Sequence, residues 1–480
     1  MSLSPLLRPR SIAIVGASER SLAISIMRSL DRLGFDGKVY PVNPRATEVA
    51  GRRCYASLAE IDEAPDVVAL AVGRDRILDI MRQLPDRKAR SAVIYEGGFA
   101  ELGEEGRKIQ SEITGICREA GIALCGPNCL GIVTPHNRSS TFLDEVANPA
   151  QLGGNVGLIS HSGSVAIGMM VDVRRFGFSS VVSAGNEAVC STADYLEYFI
   201  DDPQTKVIAA FTETIRDPGR FVAALDRAAD AGKPVVVLKV GKSERAQRSI
   251  STHTAGLAGD ARVFSEVLRA HRAIEVDDLE GMTEVLAVFQ GRHVPKGGRT
   301  AVITASGGQA ELLLDLASEK GVQLPPLSTQ GRAEAEEILG PVTGDGNPLD
   351  AWGKGNFNDR LSDLVALLQR GEFDNIVFCK DTIDKQPYAR FLNSVKLVAA
   401  AAETSDKPHF VLNPRTGLVS EEIVEICYAA GAGVLSGAQT GLVAIHKAAL
   451  SQRAAPARPQ RQNIRRSAVL EAAGGRSTIH

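Results

Sequence analysis

Several short segments of this sequence hold residue types suited to phosphate binding and phosphoryl transfer. Gly16-Ala17-Ser18-Glu19-Arg20-Ser21 follows the strand-like run Ile12–Val15 and precedes the helix-length stretch Leu22–Leu33. A small loop ahead of a helix turns backbone N–H groups toward an anion, and the helix dipole favours negative charge there. A dinucleotide fingerprint would place glycines at 18 and 21, where this chain has serines. The loop therefore reads as a phosphate cradle or a ligand-free turn more readily than as an NAD site. A second junction of this kind is Ser160-His161-Ser162-Gly163-Ser164, between Val156–Ile159 and the apolar stretch Val165–Val173. Ser162, Gly163 and Ser164 offer hydroxyls and N–H groups to a phosphate. The third is Lys242 to Gly259, KSERAQRSISTHTAGLAG, which sets His253 among small and polar residues. Neutral imidazole is a nucleophile at pH 7, and phosphoimidazole is a phosphoryl donor. Taken alone, the segment also fits a surface histidine with no role.

The first loop has companions. Tyr40-Pro41-Val42-Asn43-Pro44-Arg45 is stiffened by two prolines, and Arg45 can reach a phosphate. Tyr95-Glu96-Gly97-Gly98-Phe99 and Gly126-Pro127-Asn128-Cys129-Leu130-Gly131 each follow a strand-like run. In open parallel sheets ligands sit at the carboxyl ends of the strands. Four such loops make one rim, along which a ligand with a diphosphate and a pantetheine arm could lie.

The elements that must position these loops follow from the pattern. Short β-branched runs (Ser11–Val15, Val39–Val42, Val67–Val72, Ala92–Tyr95, Ile122–Leu124) alternate with helix-length amphipathic stretches such as Glu104–Ala120. That alternation predicts parallel sheets covered on both faces. It pauses at the polar segment His136–Gly154 and restarts through Val156–Ser160, Val181–Ser183, Val207–Phe211 and Val235–Val240. It pauses again at the basic linker Gly291–Arg299 and resumes with Thr300–Thr304, Ile376–Cys379 and Phe410–Leu412. The expected organisation is three α/β domains, at 1–137, 150–290 and 297–450, with a mobile tail over 451–480.

Composition narrows the function classes. The 480 residues carry 54 Lys+Arg against 57 Asp+Glu, a net charge of −3. This balance gives no electrostatic case for nucleic acid or a membrane surface. No run approaches a bilayer span, and the N-terminus lacks a signal-peptide core. Seven irregularly spaced cysteines argue for reduced thiols in the cytoplasm rather than a disulfide framework. Cys125 and Cys129 have no second pair at ligand spacing, so no metal is expected.

IAIVGAS, YPVNP, YEGGF and GPNCLG, in this order, resemble the CoA-binding domain of the succinyl-CoA synthetase α subunit and of ADP-forming acyl-CoA synthetases. THTAGLAG resembles the SHTG-x-x-AG segment of the same superfamily, with Thr252 for Ser and Ala255 for Gly. Thr304-Ala305-Ser306-Gly307-Gly308 and Asn347-Pro348-Leu349-Asp350 resemble its TxxGG and NPxD elements. The resemblance covers about residues 5 to 448. It implies a Rossmann-like CoA-binding domain followed by two flavodoxin-like parallel-sheet domains. It implies that Gly16, Ser18, Arg20, Ser21, Asn43, Arg45, Glu96, Gly97 and Asn128 line a CoA site, and that His253 carries the phosphoryl group. Glu213, in FTETI, matches the glutamate that holds the imidazole by its far nitrogen. A carboxylate there fixes the tautomer and stabilises positive charge. Ser162, Gly163 and Ser164 would hold the phosphate; His161, where relatives carry Gln or Arg, is a second phosphate ligand or a spacer. The implied reaction joins a carboxylic acid to CoA with ATP. No P-loop pattern occurs, so ATP/ADP and Mg²⁺ are expected on an ATP-grasp β subunit, within an oligomer. The alternative is a non-catalytic CoA- or acyl-CoA-binding module.

Overall fold

The computed structural model describes residues 1–146, 148–171, 174–253, 260–352, 357–382, 389–417 and 419–452. The chain folds into two compact units. Among the described residues, one holds 1–171 and 177–275, the other 174–176 and 276–452.

The first unit contains two large sheets and a two-stranded antiparallel pair, Glu48–Val49 with Arg52–Arg53. In the first, Ser11–Val15 is flanked in parallel by the edge strand Lys38–Val42 on one side and the central strand Val67–Leu70 on the other; Ser91–Ile94 and Ala123–Cys125 continue it. All five residues of Ser11–Val15 are buried. Ile12 and Ile14 pack with Met27 and Leu30 of the helix Ala23–Leu33, whereas Ala13 and Val15 pack with Ile77 and Met81 on the opposite face. This two-sided burial explains a continuous apolar run in place of alternation. In the second sheet Gly153–Ser160 pairs in parallel with Phe178–Ser183 and with Val207–Thr212, which pairs with Val235–Lys239; Ile274–Val276 forms the edge. Gly131–Thr134 adds antiparallel to Phe178–Ser183, and Ser139–Ser140 to Gly131–Thr134. Their four and two residues are too short to stand out in the sequence. The apolar cluster under the first sheet runs on through Ile159, Val182, Tyr195 and Phe199 of the second.

The second unit is a five-stranded parallel sheet in the order Leu349–Asp350, Thr300–Thr304, Asn375–Cys379, His409–Asn413, Gly433–Ser436. Asn347 substitutes for a strand neighbour: it accepts from the Val302 N–H at 2.9 Å and donates to Thr300 O at 2.9 Å. Thr304 and Asp350 are register partners. The TASGG and NPLD segments therefore meet at the carboxyl edge of this sheet.

The α/β class is as expected: strands appear at each of the apolar runs named above, and in each unit the parallel strands follow the order 2-1-3-4-5 of flavodoxin-like sheets. The expected tail begins at Ser451, yet Ser451 and Gln452 end the helix Ala438–Gln452; residues 453–480 lie outside the described residues. No described helix is long and apolar enough to cross a membrane.

Candidate active site

Glu213 follows Val207–Thr212 at the carboxyl edge of the second sheet, in a turn bound on every side. The His161 N–H donates to Phe211 O at 3.0 Å, and the Val240 N–H to Thr212 O at 3.1 Å. Thr212 Oγ1 donates to Thr214 O at 2.8 Å. The Glu213 N–H donates to His161 Nδ1 at 3.2 Å, and its C=O accepts from Lys239 Nζ at 2.8 Å. Lys239 is itself buried, and desolvation pulls its pKa below the ordinary lysine value while the Glu213 charge opposes the shift. Carboxylate oxygen Oε2 of Glu213 is buried and has no hydrogen-bond partner among the described residues. A buried acceptor without a donor costs about 1–3 kcal/mol, more when charged, so its persistence marks a place where a donor is wanted.

His161 does not point toward a ligand. Its side chain is 4% exposed, and Nε2 lies 3.1 Å from Glu187 Oε1, whose side chain is 1% exposed. Thr192 Oγ1 donates to the same Oε1 at 2.6 Å and lies 3.1 Å from Nε2. Thr192 is fixed because it opens the helix Thr192–Asp201, whose start is locked by a Ser191–Asp194 capping box. Both ring nitrogens of His161 thus have partners within the protein, and Glu187 is a neighbour of the site that the sequence did not single out. A glutamate in a Gly-Asn-Glu loop carries no pattern that predicts burial.

Ser162 precedes the helix Gly163–Val171, and its hydroxyl accepts from the Val165 N–H at 3.4 Å and lies 3.1 Å from Ser164 Oγ. A Cβ on Gly163 would come within 2.5 Å of Leu130 Cδ1, so this glycine lets the helix approach the GPNCLG loop. His253 is the last residue of the helix Glu244–His253. Its side chain, like residues 254–259, lies outside what is described, so its distance to Glu213 is not part of the site's geometry.

The four loops of the first sheet form a shared rim. Gly16 has φ +90°, and a Cβ there would sit 2.2 Å from Ala71 O, so only glycine fits. Ser18 and Ser21 close a turn: the Ser18 N–H donates to Ser21 Oγ at 3.0 Å, and Ser21 Oγ donates to Ser18 O at 3.0 Å. Asn43 ties two loops together, donating from Nδ2 to Ala17 O at 2.8 Å and accepting from the Arg45 N–H at 2.9 Å. The Asn128 N–H donates to Glu96 O at 3.0 Å, and Asn128 adopts a left-handed backbone, φ +59°. Gly97 packs against Asn128 Oδ1 and Glu101. Arg20 and Arg45 are exposed. A cavity of about 240 Å³ opens between two of these loops, with Ser21, Glu96 and Tyr95 joined by Gly73 and Arg76. Arg76 adds a cation that the sequence reading did not name.

The two sites touch through one loop. The Asn186 N–H donates to Pro127 O at 2.8 Å and the Ala188 N–H to Gly126 O at 3.1 Å, while Asn128 Nδ2 donates to Asn186 Oδ1 at 3.4 Å. Glu187, between Asn186 and Ala188, faces His161. A path of direct contacts thus leads from Asn128 to Glu213. Cys125 and Cys129 are buried with their sulfurs 3.9 Å apart, and all seven cysteines are free thiols. No cluster of metal-ligating side chains occurs among the described residues.

Residues 10–135 match the family described as a CoA binding domain, and residues 153–289 match the succinyl-CoA ligase like flavodoxin domain. The α subunit of acetate–CoA ligase [ADP-forming] II from Pyrococcus furiosus is 31% identical over 374 residues, 77% of this chain and 80% of that protein. The chain belongs to the NDP-forming acyl-CoA synthetase superfamily. Another member, a trans-feruloyl-CoA synthase from an unknown prokaryotic organism, is 36% identical over 380 residues, 78% of this chain and 54% of that protein. The chain thus spans about half the length of several curated synthetases it matches. Among solved structures, the dinucleotide forming acetyl-coenzyme A synthetase 1 of Ca. Korarchaeum cryptofilum, in complex with phosphate and ADP, superposes with a TM-score of 0.81. That similarity has 26% identity and covers 94% of this chain and 97% of that one.

Proposed function

We propose that this chain is the CoA-handling and phosphoryl-carrying part of a cytoplasmic ADP-forming acyl-CoA synthetase. It would join a carboxylic acid to CoA at the expense of ATP, releasing ADP and phosphate. The observation that carries the reading is the Glu213 turn. A buried carboxylate oxygen without a donor among the described residues sits on a residue whose backbone is held from both sides. It shares one compact unit with the loops of a CoA-binding family.

In this mechanism a ring nitrogen of neutral His253 attacks the γ-phosphorus of ATP. The N–P bond forms as the bond to the bridging oxygen breaks, and ADP leaves. The other ring N–H donates to Glu213, whose charge stabilises the phosphoimidazolium. The hydroxyls and N–H groups of Ser162, Gly163 and Ser164 receive the phosphoryl oxygens. A carboxylate oxygen of the acid then takes the phosphoryl group, the N–P bond breaks, and an acyl phosphate results. The CoA sulfur attacks the acyl carbon, phosphate departs, and the thiol proton ends on phosphate. CoA lies along the rim formed by Gly16–Ser21, Tyr40–Arg45, Glu96–Gly97 and Asn128, with Arg20 and Arg45 toward its phosphates. ATP and Mg²⁺ are brought by an ATP-grasp subunit, consistent with the similarity to an α subunit.

Incubation with γ-phosphate-labelled ATP and an ATP-grasp partner tests the reading. The chain should acquire an acid-labile label that CoA plus the acid discharges. A chain that binds CoA and takes up no label would be a binding module instead.

A further inference from the structure

We propose that His161, held by Glu187, is a positioning residue that sets the backbone of Glu213 for phosphoryl transfer. The inference rests on the reading of Glu213 as the partner of the phosphohistidine. The N–H and C=O of Glu213 flank its Cα, and each is bonded to a side chain. His161 Nδ1 receives the N–H at 3.2 Å, and Lys239 Nζ donates to the C=O at 2.8 Å. Both backbone torsions of Glu213 are thereby anchored, and with them the direction in which its carboxylate leaves the turn.

The bond from the Glu213 N–H has a chemical requirement. An imidazole nitrogen accepts a hydrogen bond only when it bears no proton, so His161 must be the neutral tautomer with its proton on Nε2. Nε2 faces Glu187 Oε1 at 3.1 Å, and a carboxylate there makes that tautomer the stable one. The arrangement has the logic of a catalytic triad whose last member is a backbone amide in place of a nucleophile. Thr192 steadies Glu187 by donating to the same oxygen at 2.6 Å.

Glu187 sits there at a cost. It adopts φ +52°, in the left-handed region, which disfavours a residue with a Cβ. Its side chain is 1% exposed, and its second oxygen, Oε2, is buried without a partner among the described residues. Backbone strain and an unpartnered carboxylate oxygen on one residue persist where the surrounding structure holds that residue for a purpose. The loop that carries Glu187 also carries Asn186, bonded to Asn128 on the CoA rim. Glu213 is thereby linked to the loop on which CoA is proposed to lie.

Two substitutions separate positioning from packing. His161→Asn keeps an acceptor near the place of Nδ1 and loses volume; His161→Leu keeps volume and loses the acceptor. The full-length chain is treated with phosphorus-32 acetyl phosphate, the smallest stable acyl phosphate, and the rate of acid-labile labelling is measured beside thermal unfolding. Positioning predicts that His161→Leu labels about 10–100-fold more slowly than wild type and that His161→Asn recovers at least ten-fold of a hundred-fold loss. A packing role predicts the reverse order. Wild-type labelling in His161→Leu, with slow labelling in Glu213→Gln, overturns the inference and leaves the role of Glu213 standing. Wild-type labelling in Glu213→Gln, or none in the wild-type chain, overturns the reading on which the inference rests. Nitrogen-15 spectra of the histidine-labelled chain give a second measurement, independent of turnover. They should show His161 protonated at Nε2 alone, and a proton on Nδ1 would contradict the relay.

Discussion

At the residue scale the account turns on a few side chains whose surroundings differ from what their types suggest. Glu213 follows the end of a strand, where a glutamate is ordinarily solvated, yet one of its oxygens is buried and lacks a donor among the described residues. Replacing it by glutamine keeps the shape and removes the charge. Glu213→Gln should slow phosphorylation of His253 by about 10²–10⁴-fold with the fold intact, measured by label uptake beside circular dichroism. Wild-type uptake would make Glu213 a strand-end residue and nothing more. Gly16 was legible as a turn residue, but the reason it must be glycine lies in the carbonyl of Ala71, just past the neighbouring strand Val67–Leu70. Glu187 was not legible, because its importance comes from a left-handed backbone and from burial beside His161, and neither has a local sequence signature. His161 itself was visible only as a departure from the family pattern; its partners come from two other loops.

At the scale of elements, the strands were readable because burial on both faces writes continuous β-branched runs, as in Ser11–Val15 and Val235–Lys239. Gly131–Thr134 was missed because four residues between the GPNCL turn and the turn at Pro135–Asn137 leave no period to measure. Its antiparallel pairing with Phe178–Ser183 is a long-range choice. The first strand-to-helix turn makes a test of the cradle. Gly16→Ala would place a methyl 2.2 Å from Ala71 O at a positive φ, and backbone cannot step aside as a side chain can. A loss of about 2–4 kcal/mol in denaturant unfolding is expected, with weakened CoA binding. An unchanged midpoint would mean that the turn adapts freely. In the second unit, His409 is buried in its strand, its ring Nδ1 donating to Lys407 O and Nε2 accepting from Gln369. Desolvation lowers its pKa below the ordinary histidine value, partly opposed by the bond to Lys407. As pH falls below about 6.5 the unfolded chain gains this proton while the folded unit resists it. Stability contributed by neutral His409 is therefore present above that pH and is lost as pH falls toward the lowered folded value. The melting temperature of the wild type should drop more between pH 7 and 5 than that of His409→Gln. Parallel curves would show that His409 does not titrate in that window.

At the scale of the whole molecule, the order of a CoA-type sheet, a second sheet bearing Glu213, and a third parallel sheet was readable from the alternation of elements and from motifs at successive strand ends. The loop through Asn186 and Glu187 that joins the first two sites was not, because it is made of contacts between segments some 60 residues apart, as between Asn128 and Asn186. Under the proposed function the chain alone should bind CoA, not NAD, in equilibrium dialysis, and should form acyl-CoA from ATP only when an ATP-grasp subunit is added. Turnover at ordinary enzyme rates by the chain without a partner would require a nucleotide site elsewhere in it.

The central claim is a phosphoryl group on one named histidine. The most direct measurement is to phosphorylate the chain with labelled ATP and its ATP-grasp partner, digest it at alkaline pH, and locate the modification by mass spectrometry. The account predicts an acid-labile phosphoryl group on His253, and a His253→Ala chain that takes none while still binding CoA, with turnover reduced by about 10⁴-fold or more. A label that persists in His253→Ala, or maps to another residue, would contradict it.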